Sequence, residues 1–366
     1  MNYFRFHPVG QGLFYTGQLA DGKYNFVYDC GTLSGREYLE DAIDKYLTTL
    51  KSNTSMKPKI DFVVISHLHA DHFNGLESLD DKAEIKRIYL PYLCDDENLI
   101  ALALANTIFA DYNGEDDYKY QALTHMFEFV INLYIESKSD RVTVIGKEQS
   151  PPINNYLYTD ETLSSQNQYF DWQFTMLNRR LDFDEVKLVK LINDELRRYN
   201  VSSIKDLVAQ KKIHTISDIY KIVFKNQQNL TSTILLHYPI SSCSELLSSS
   251  KLNIEHRNNI SNNTNITPIT LLTGDALMNK EFGERITECY TTKNSDKVGL
   301  VQIPHHGSWK NYDLMKKYID SEIYVASYGL GNGYSHPSRR TIDDLHMNGK
   351  ELYFANQYEF FDYWIY

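Results

Sequence analysis

The run Ile60-Asp61-Phe62-Val63-Val64-Ile65 has the length and composition of a buried strand, and it passes directly into Ser66-His67-Leu68-His69-Ala70-Asp71-His72. Three imidazoles and one carboxylate therefore crowd into six positions, 67 to 72, at the end of an apolar segment. A surface loop that merely holds histidines would leave a costly unpaired polar cluster beside a buried strand. Two histidines two residues apart in such a loop can turn to one metal, and the Asp-His pair that follows can turn to a second. Mixed imidazole and carboxylate donors suit zinc, manganese or iron.

Three distant segments extend the pattern. Leu271-Leu272-Thr273-Gly274-Asp275 places a carboxylate at the end of an apolar run. Gln302-Ile303-Pro304-His305-His306-Gly307-Ser308 places two adjacent histidines at the end of another. Tyr334-Ser335-His336-Pro337-Ser338 adds one more after a glycine-rich turn. Six of the 12 histidines thus fall at or near strand ends, where α/β folds assemble their sites.

Strand-like segments are expected at Met1–Phe6, Leu13–Leu19, Tyr24–Asp29, Lys86–Leu90, Val142–Ile145, Phe170–Leu177 and Thr231–Tyr238. Others follow at Ile269–Thr273, Val298–Ile303, Glu322–Ala326, Glu351–Phe354 and Tyr358–Ile365. A helix is expected over Arg36–Leu50, with apolar spacing of three and four across 97–137 and 183–226. The polar tract 241–267, dense in Ser and Asn, reads as a mobile loop. Strand segments scattered over the whole chain favour one layered α/β unit spanning 1–366, interrupted by helical insertions at about 92–140 and 180–228.

A formal charge of −11 argues against a protein that coats nucleic acid by bulk charge, although a local basic groove is compatible with it. Cys30, Cys94, Cys243 and Cys289 are widely spaced, which speaks against a disulfide framework and a cysteine zinc site. The segment Met1–Gly12 shows no signal-peptide pattern, and no apolar run approaches the ~20 residues that span a bilayer. A cytoplasmic protein without membrane contact is the expectation.

These motifs together resemble the metallo-β-lactamase fold superfamily, whose signature is H-x-H-x-D-H followed by distant Asp and His ligands. The resemblance is nearer to the branch containing the nuclease-like domain of competence DNA-uptake channels and bacterial phosphorylcholine esterases. It is carried by Val9-Gly10-Gln11-Gly12, Asp29-Cys30-Gly31, His67 to His72, Thr273-Gly274-Asp275, Pro304-His305-His306-Gly307-Ser308 and Tyr334-Ser335-His336-Pro337. It implies an αββα metallo-β-lactamase sandwich with two helical insertions that have no family counterpart.

By the same resemblance, His67 and His69 would bind one divalent ion, zinc or manganese, and Asp71 and His72 a second. Asp275 would bridge them, and His336 would complete the second set. The usual third histidine of the first set, from a Gly-His motif, is missing. His125, His214 and His237 lie in that interval without a preceding glycine and read as structural. His306 would fill the gap as a ligand and His305 would act as proton donor or phosphate contact, an assignment that the sequence leaves exchangeable. Asp29 resembles a carboxylate that orients a ligand histidine.

The implied function is a dinuclear metal-dependent hydrolase, a phosphodiesterase or nuclease using a metal-bridged hydroxide, with Asp71 and His305 as catalytic residues. The charge favours a short oligonucleotide or a cyclic nucleotide over a long polymer. Two alternatives stand beside it: hydrolysis of a lactone, thioester or β-lactam, and a hydrolase subunit activated by a protein partner docked on the insertions.

Overall fold

In this computed structural model the described residues are 1–50, 57–92, 94, 96–110, 112, 114, 116–135, 141–145, 157–159, 172–178, 185–224, 232–240, 246–248, 266–291 and 297–366. Two large sheets lie face to face with helices outside each. Across the first sheet the order is Leu246–Ser248, Phe361–Ile365, Asn2–Phe6, Phe14–Leu19, Tyr24–Cys30, Phe62–Val64, Ile88–Pro91 and Val142–Ile145. Across the second it is Glu351–Ala355, Ser321–Ser327, Val298–Gln302, Thr270–Leu272, Thr233–Pro239, Trp172–Asn178 and Leu157–Thr159.

Alternation along the strands builds the layers. Phe26, Tyr28, Phe62 and Val64 point between the sheets, where they meet Phe174, Leu235, Leu272, Leu300 and Ile323. Val27, Val63 and Ile65 point the other way, onto the helices outside the first sheet. Leu236, Leu271, Val301 and Tyr324 do the same on the second sheet, against Phe282, Ile286, Tyr312, Met315 and Leu345. This two-residue period, apolar on both faces, produces the αββα sandwich.

Each sheet changes from antiparallel to parallel pairing part-way across. Tyr24–Cys30, Phe62–Val64, Ile88–Pro91 and Val142–Ile145 are mutually parallel, as are Thr270–Leu272, Val298–Gln302, Ser321–Ser327 and Glu351–Ala355. The histidine and aspartate motifs leave the carboxyl ends of these parallel strands, the place where open α/β sheets hold ligands.

The helix Arg36–Leu50 has the expected bounds and buries Leu39, Ala42, Ile43, Tyr46 and Leu47, one face of a 3.6-residue period. The segment 60–65 is shorter than expected as a main-sheet strand. Lys59–Ile60 pairs instead with Glu84–Ile85 in a separate ribbon, and only Phe62–Val64 joins the sheet. Asp61 divides them: its carboxylate accepts from the backbone N–H of Asn25 at 2.8 Å and from Lys86 at 2.5 Å. The polar tract is also not all loop. Leu246–Ser248 pairs with the C-terminal strand, with Leu246 2% exposed, whereas 249–265 and Cys243 lie outside the described residues.

The two helical segments resolve into Glu97–Ile108 and Asp117–Ile135, then Glu185–Arg198, Ile204–Ala209 and Ile213–Phe224. Although far apart in sequence, they pack on one another. Glu97–Ile108 lies against all four of the other helices, and their apolar faces share the cluster that covers the first sheet. The side chain of Asn98 accepts from the N–H of Ile204 at 3.0 Å, and Tyr120 donates to the carbonyl of Val208. The caps follow the sequence: Asp96 accepts from the N–H of Leu99 at 3.0 Å, and Ser203 with Asp206 forms a reciprocal capping box. Among the described residues no helix is long and apolar enough to cross a membrane. Cys30 and Cys94 are buried and Cys289 is half-buried.

Candidate metal centre

The first sheet contributes the short apolar strand Phe62–Val64, and Ser66-His67 emerge from it fully buried. The chain turns once at Leu68-His69 and enters a single helical turn, Ala70–Phe73, which carries Asp71 and His72 inward. Close approach of this turn to the neighbouring strand end requires glycine. A Cβ on Gly31 would lie 2.4 Å from the backbone carbon of Asp71. The Gly10-Gln11-Gly12 turn packs here too, with the N–H of Leu13 donating to the carbonyl of Asp71 at 3.0 Å.

The second sheet contributes Asp275, His305 and His306. Gln302 holds the first of these loops: its side-chain oxygen accepts from the N–H groups of Thr273 and Gly274, both at 2.8 Å. His305 and His306 both have positive φ, at 53° and 55°. Asp29 and Ser335 share that conformation, so among the described residues four of the eight non-glycine positions with positive φ belong to this one cluster. Such backbone strain concentrates where a site dictates geometry.

Two ligand sets converge. His67, His69 and Asp275 form one, and Asp71, His72 and His306 form the other, with the donor atoms of each set within 4.8 Å of one another. Asp275 lies between them. Its Oδ2 is 3.6 Å from His67 Nε2 and 3.1 Å from His305 Nδ1, and its Oδ1 is 3.4 Å from His72 Nε2 and 3.9 Å from His306 Nε2.

His306 is placed differently from expectation. Its Nδ1 donates to the carbonyl of Ser327 at 2.8 Å, which turns Nε2 toward Asp71 Oδ2 at 3.0 Å. It therefore groups with Asp71 and His72, not with His67 and His69. His336 falls in neither set: its ring lies 5.6 Å from that of His305 and stacks near Tyr334. His125, exposed, pairs with Glu77 at 2.6 Å, and His237 is buried between the sheets, so neither takes part.

Donor chemistry supports a cation. His67 Nε2, His72 Nε2, Asp275 Oδ1 and His336 Nδ1 are buried without a hydrogen-bond partner. Orphaned buried polar atoms are costly, and those of His67, His72 and Asp275 belong to the two sets. Burial pushes His67 well below the ordinary histidine range and also lowers His69, leaving both neutral, the form that binds metal. Against the opposing effect of burial, Asp29, Asp71 and Asp275 raise His72, and Asp275 with Asp71 raises His306. Burial would raise the carboxyls of Asp71 and Asp275, but the surrounding histidines hold both below the usual range.

The two sets open into a pocket of about 330 Å³ lined by His69, Asp71, Asp275, His305, His306 and His336. Its remaining wall is Gln11, Leu33, Ala70, Tyr334 and three residues of the first helical segment, Asn106, Thr107 and Ala110. No lysine or arginine is among these described lining residues. Arg340 lies instead over the Trp309 ring at 4.2 Å, and Arg339 faces Asp343. Sequence reasoning missed Asn106 and Thr107, because two polar residues on a helix buried nearly all round carry no sign of which cavity they face.

Residues 16–95 match the metallo-beta-lactamase superfamily. That superfamily consists mostly of metal-dependent hydrolases or related enzymes, and its fold typically binds divalent metals. The match covers Tyr24–Cys30, Phe62–Val64 and Ile88–Pro91 of the first sheet, most of Phe14–Leu19, and the segment from His67 to His72. Among curated proteins none matches the sequence. The fold is similar to that of a solved structure titled CmlA beta-hydroxylase E377D mutant, at 9% identity and a TM-score of 0.41. The alignment covers 100% of this chain and 53% of that one, so the chain spans about half the length of that structure.

Proposed function

We propose that the chain is a single dinuclear metal-dependent hydrolase that cleaves phosphodiester bonds. The observation that carries this is Asp275, whose two oxygens face two separate three-residue ligand sets. The preference for a phosphodiester draws on the resemblance of Pro304-His305-His306-Gly307-Ser308 and Tyr334-Ser335-His336-Pro337 to the nuclease-like and phosphorylcholine esterase branch. In this reading His67, His69 and Asp275 hold one ion and Asp71, His72 and His306 the other.

The chemistry that a pair of dications supplies is charge, which polarises a phosphoryl oxygen and brings the pKa of a water to ~7. The protein's own residues do the rest. Asp29 accepts from His72 Nδ1 and so keeps Nε2 as a donor atom for the ion. Ser327 does the same for His306. His305, with its side chain about one-third exposed and lining the pocket, is the proton donor to the leaving oxygen. Asp71 would hold an ion together with His72 and His306.

Absence of basic side chains from the described pocket lining favours a small substrate over a long polymer. Turnover of bis-p-nitrophenyl phosphate against a lactone panel, with Mn²⁺ or Zn²⁺ added, tests the reading. Turnover of the phosphodiester is expected. Activity confined to the lactones would overturn the phosphodiester assignment while keeping the hydrolase. A monomer with full activity alone would exclude a required protein partner.

A further inference from the structure

We infer that the side-chain amide of Gln11 is the fixed neutral donor of this pocket, aimed at a charged oxygen of the substrate. The inference rests on the hydrolase reading above for the ions, and adds a residue that touches substrate. Gln11 lines the pocket and is only 7% exposed. Its side-chain oxygen accepts from the backbone N–H of Gly329 at 3.1 Å. A backbone N–H can only donate, so this bond settles which end of the amide is the oxygen. The other end, Nε2, has no hydrogen-bond partner among the described residues and is not sealed off, so it faces the cavity.

The backbone around Gln11 is built to hold it there. Gly10 and Gly12 have φ of 77° and 155°. A Cβ on Gly12 would come 2.2 Å from the carbonyl oxygen of Gly31, and one on Gly329 would come 2.7 Å from the Cβ of Gln11. The N–H of Gln11 donates to Ser34 Oγ at 2.8 Å, and its carbonyl accepts from the N–H of Leu33 at 2.5 Å. Ser327 Oγ donates to the carbonyl of Gly12 at 2.7 Å, while the carbonyl of Ser327 holds His306. The next residue, Leu13, donates its N–H to the carbonyl of Asp71. The turn is thus tied to two residues of the second ligand set. A turn that only reversed the chain would not need a carboxamide buried at its tip.

No lysine or arginine is among the described lining residues, so positive charge at this pocket comes from the ions and Gln11 supplies direction. A donor fixed beforehand costs no reorganisation as charge gathers on the oxygen it meets. One hydrogen bond to a charged group is worth about 10–100-fold in affinity or rate.

The test uses the full chain loaded with Mn²⁺. It reads metal content, turnover of bis-p-nitrophenyl phosphate and, by calorimetry, binding of inorganic phosphate. Gln11→Glu keeps an acceptor for the Gly329 N–H and replaces the donor by an oxygen. Gln11→Met keeps the length with neither donor nor charge. Both variants should retain the wild-type metal content, while kcat/KM and phosphate affinity fall about 10–100-fold. A loss confined to one variant would overturn the proposal: Gln11 would serve only the Gly329 tie if Gln11→Glu keeps activity, and the added charge would be the cause if Gln11→Met does. Loss of metal from both variants would assign Gln11 to building the ion sets and would also overturn it. Unchanged turnover and phosphate affinity in both would overturn it and leave the hydrolase reading intact. Weakened phosphate binding in both variants of a protein that cleaves no phosphodiester would support the donor and overturn the phosphodiester reading. A wild type that neither binds phosphate nor cleaves the diester would overturn both.

Discussion

Asp29 and His72, 43 positions apart, meet at 2.7 Å with both side chains fully buried. Asp29 also accepts from the N–H and hydroxyl of Ser66 at 2.6 and 2.7 Å. One carboxylate thus fixes both the imidazole of His72 and the backbone that launches His67. Burial raises the Asp29 pKa, and His72 with Ser66 offsets part of that rise.

Asp29→Asn should therefore weaken the second ion about 10–100-fold, because the amide cannot hold the Nδ1–H tautomer as a carboxylate does. Metal titration of the purified variant checks this. Unchanged affinity for both ions would show that Asp29 serves the fold alone.

Asp275→Ala should lower occupancy of both ions, since its oxygens face both sets. His306→Ala should lower only the second, which it shares with Asp71 and His72. Metal content per chain by elemental analysis distinguishes the two outcomes. Equal loss of both ions in His306→Ala would contradict the grouping.

His305→Ala should cost ~10²–10³-fold in kcat on substrates with alkoxide leaving groups and much less on nitrophenyl esters, whose leaving group needs no proton. A leaving-group series reads the difference as a slope. The same loss across the whole series would assign His305 to binding.

Acid should weaken the sandwich itself. His237 sits between the sheets, bonded to the Tyr15 hydroxyl at 2.8 Å, and burial lowers its pKa to about 3. The unfolded chain, with an ordinary histidine pKa near ~6.5, binds more protons across that interval. The stability due to His237 is therefore complete above ~6.5 and falls as the pH drops toward 3. His237→Gln should flatten that part of the Tm-against-pH curve, which calorimetry can follow.

Much of the layer order was legible, because alternating apolar residues such as Phe26-Val27-Tyr28 and Leu235-Leu236 report two covered faces. The six histidines and Asp275 stood out because strand ends expose them in motifs. The set that His306 joins did not, since it depends on a positive-φ turn and a bond to Ser327, neither of which has a sequence signature. The break at Asp61 was hidden for a similar reason: its partners Asn25 and Lys86 are distant in the chain. The pocket wall at Asn106 and Thr107 needed the packing of five helices to be known first.

Each ligand set draws two residues from 67–72 and its third from beyond 270. During synthesis the N-terminal pairs leave the ribosome some 200 residues before their partners, as incomplete and weak chelates. The first strand, Asn2–Phe6, likewise waits for Phe361–Ile365 to pair with it. In the proposed reading, firm ion capture would become available only after Asp275 and His306 have been made, and a product ending before them would hold its N-terminal histidines without closing either set.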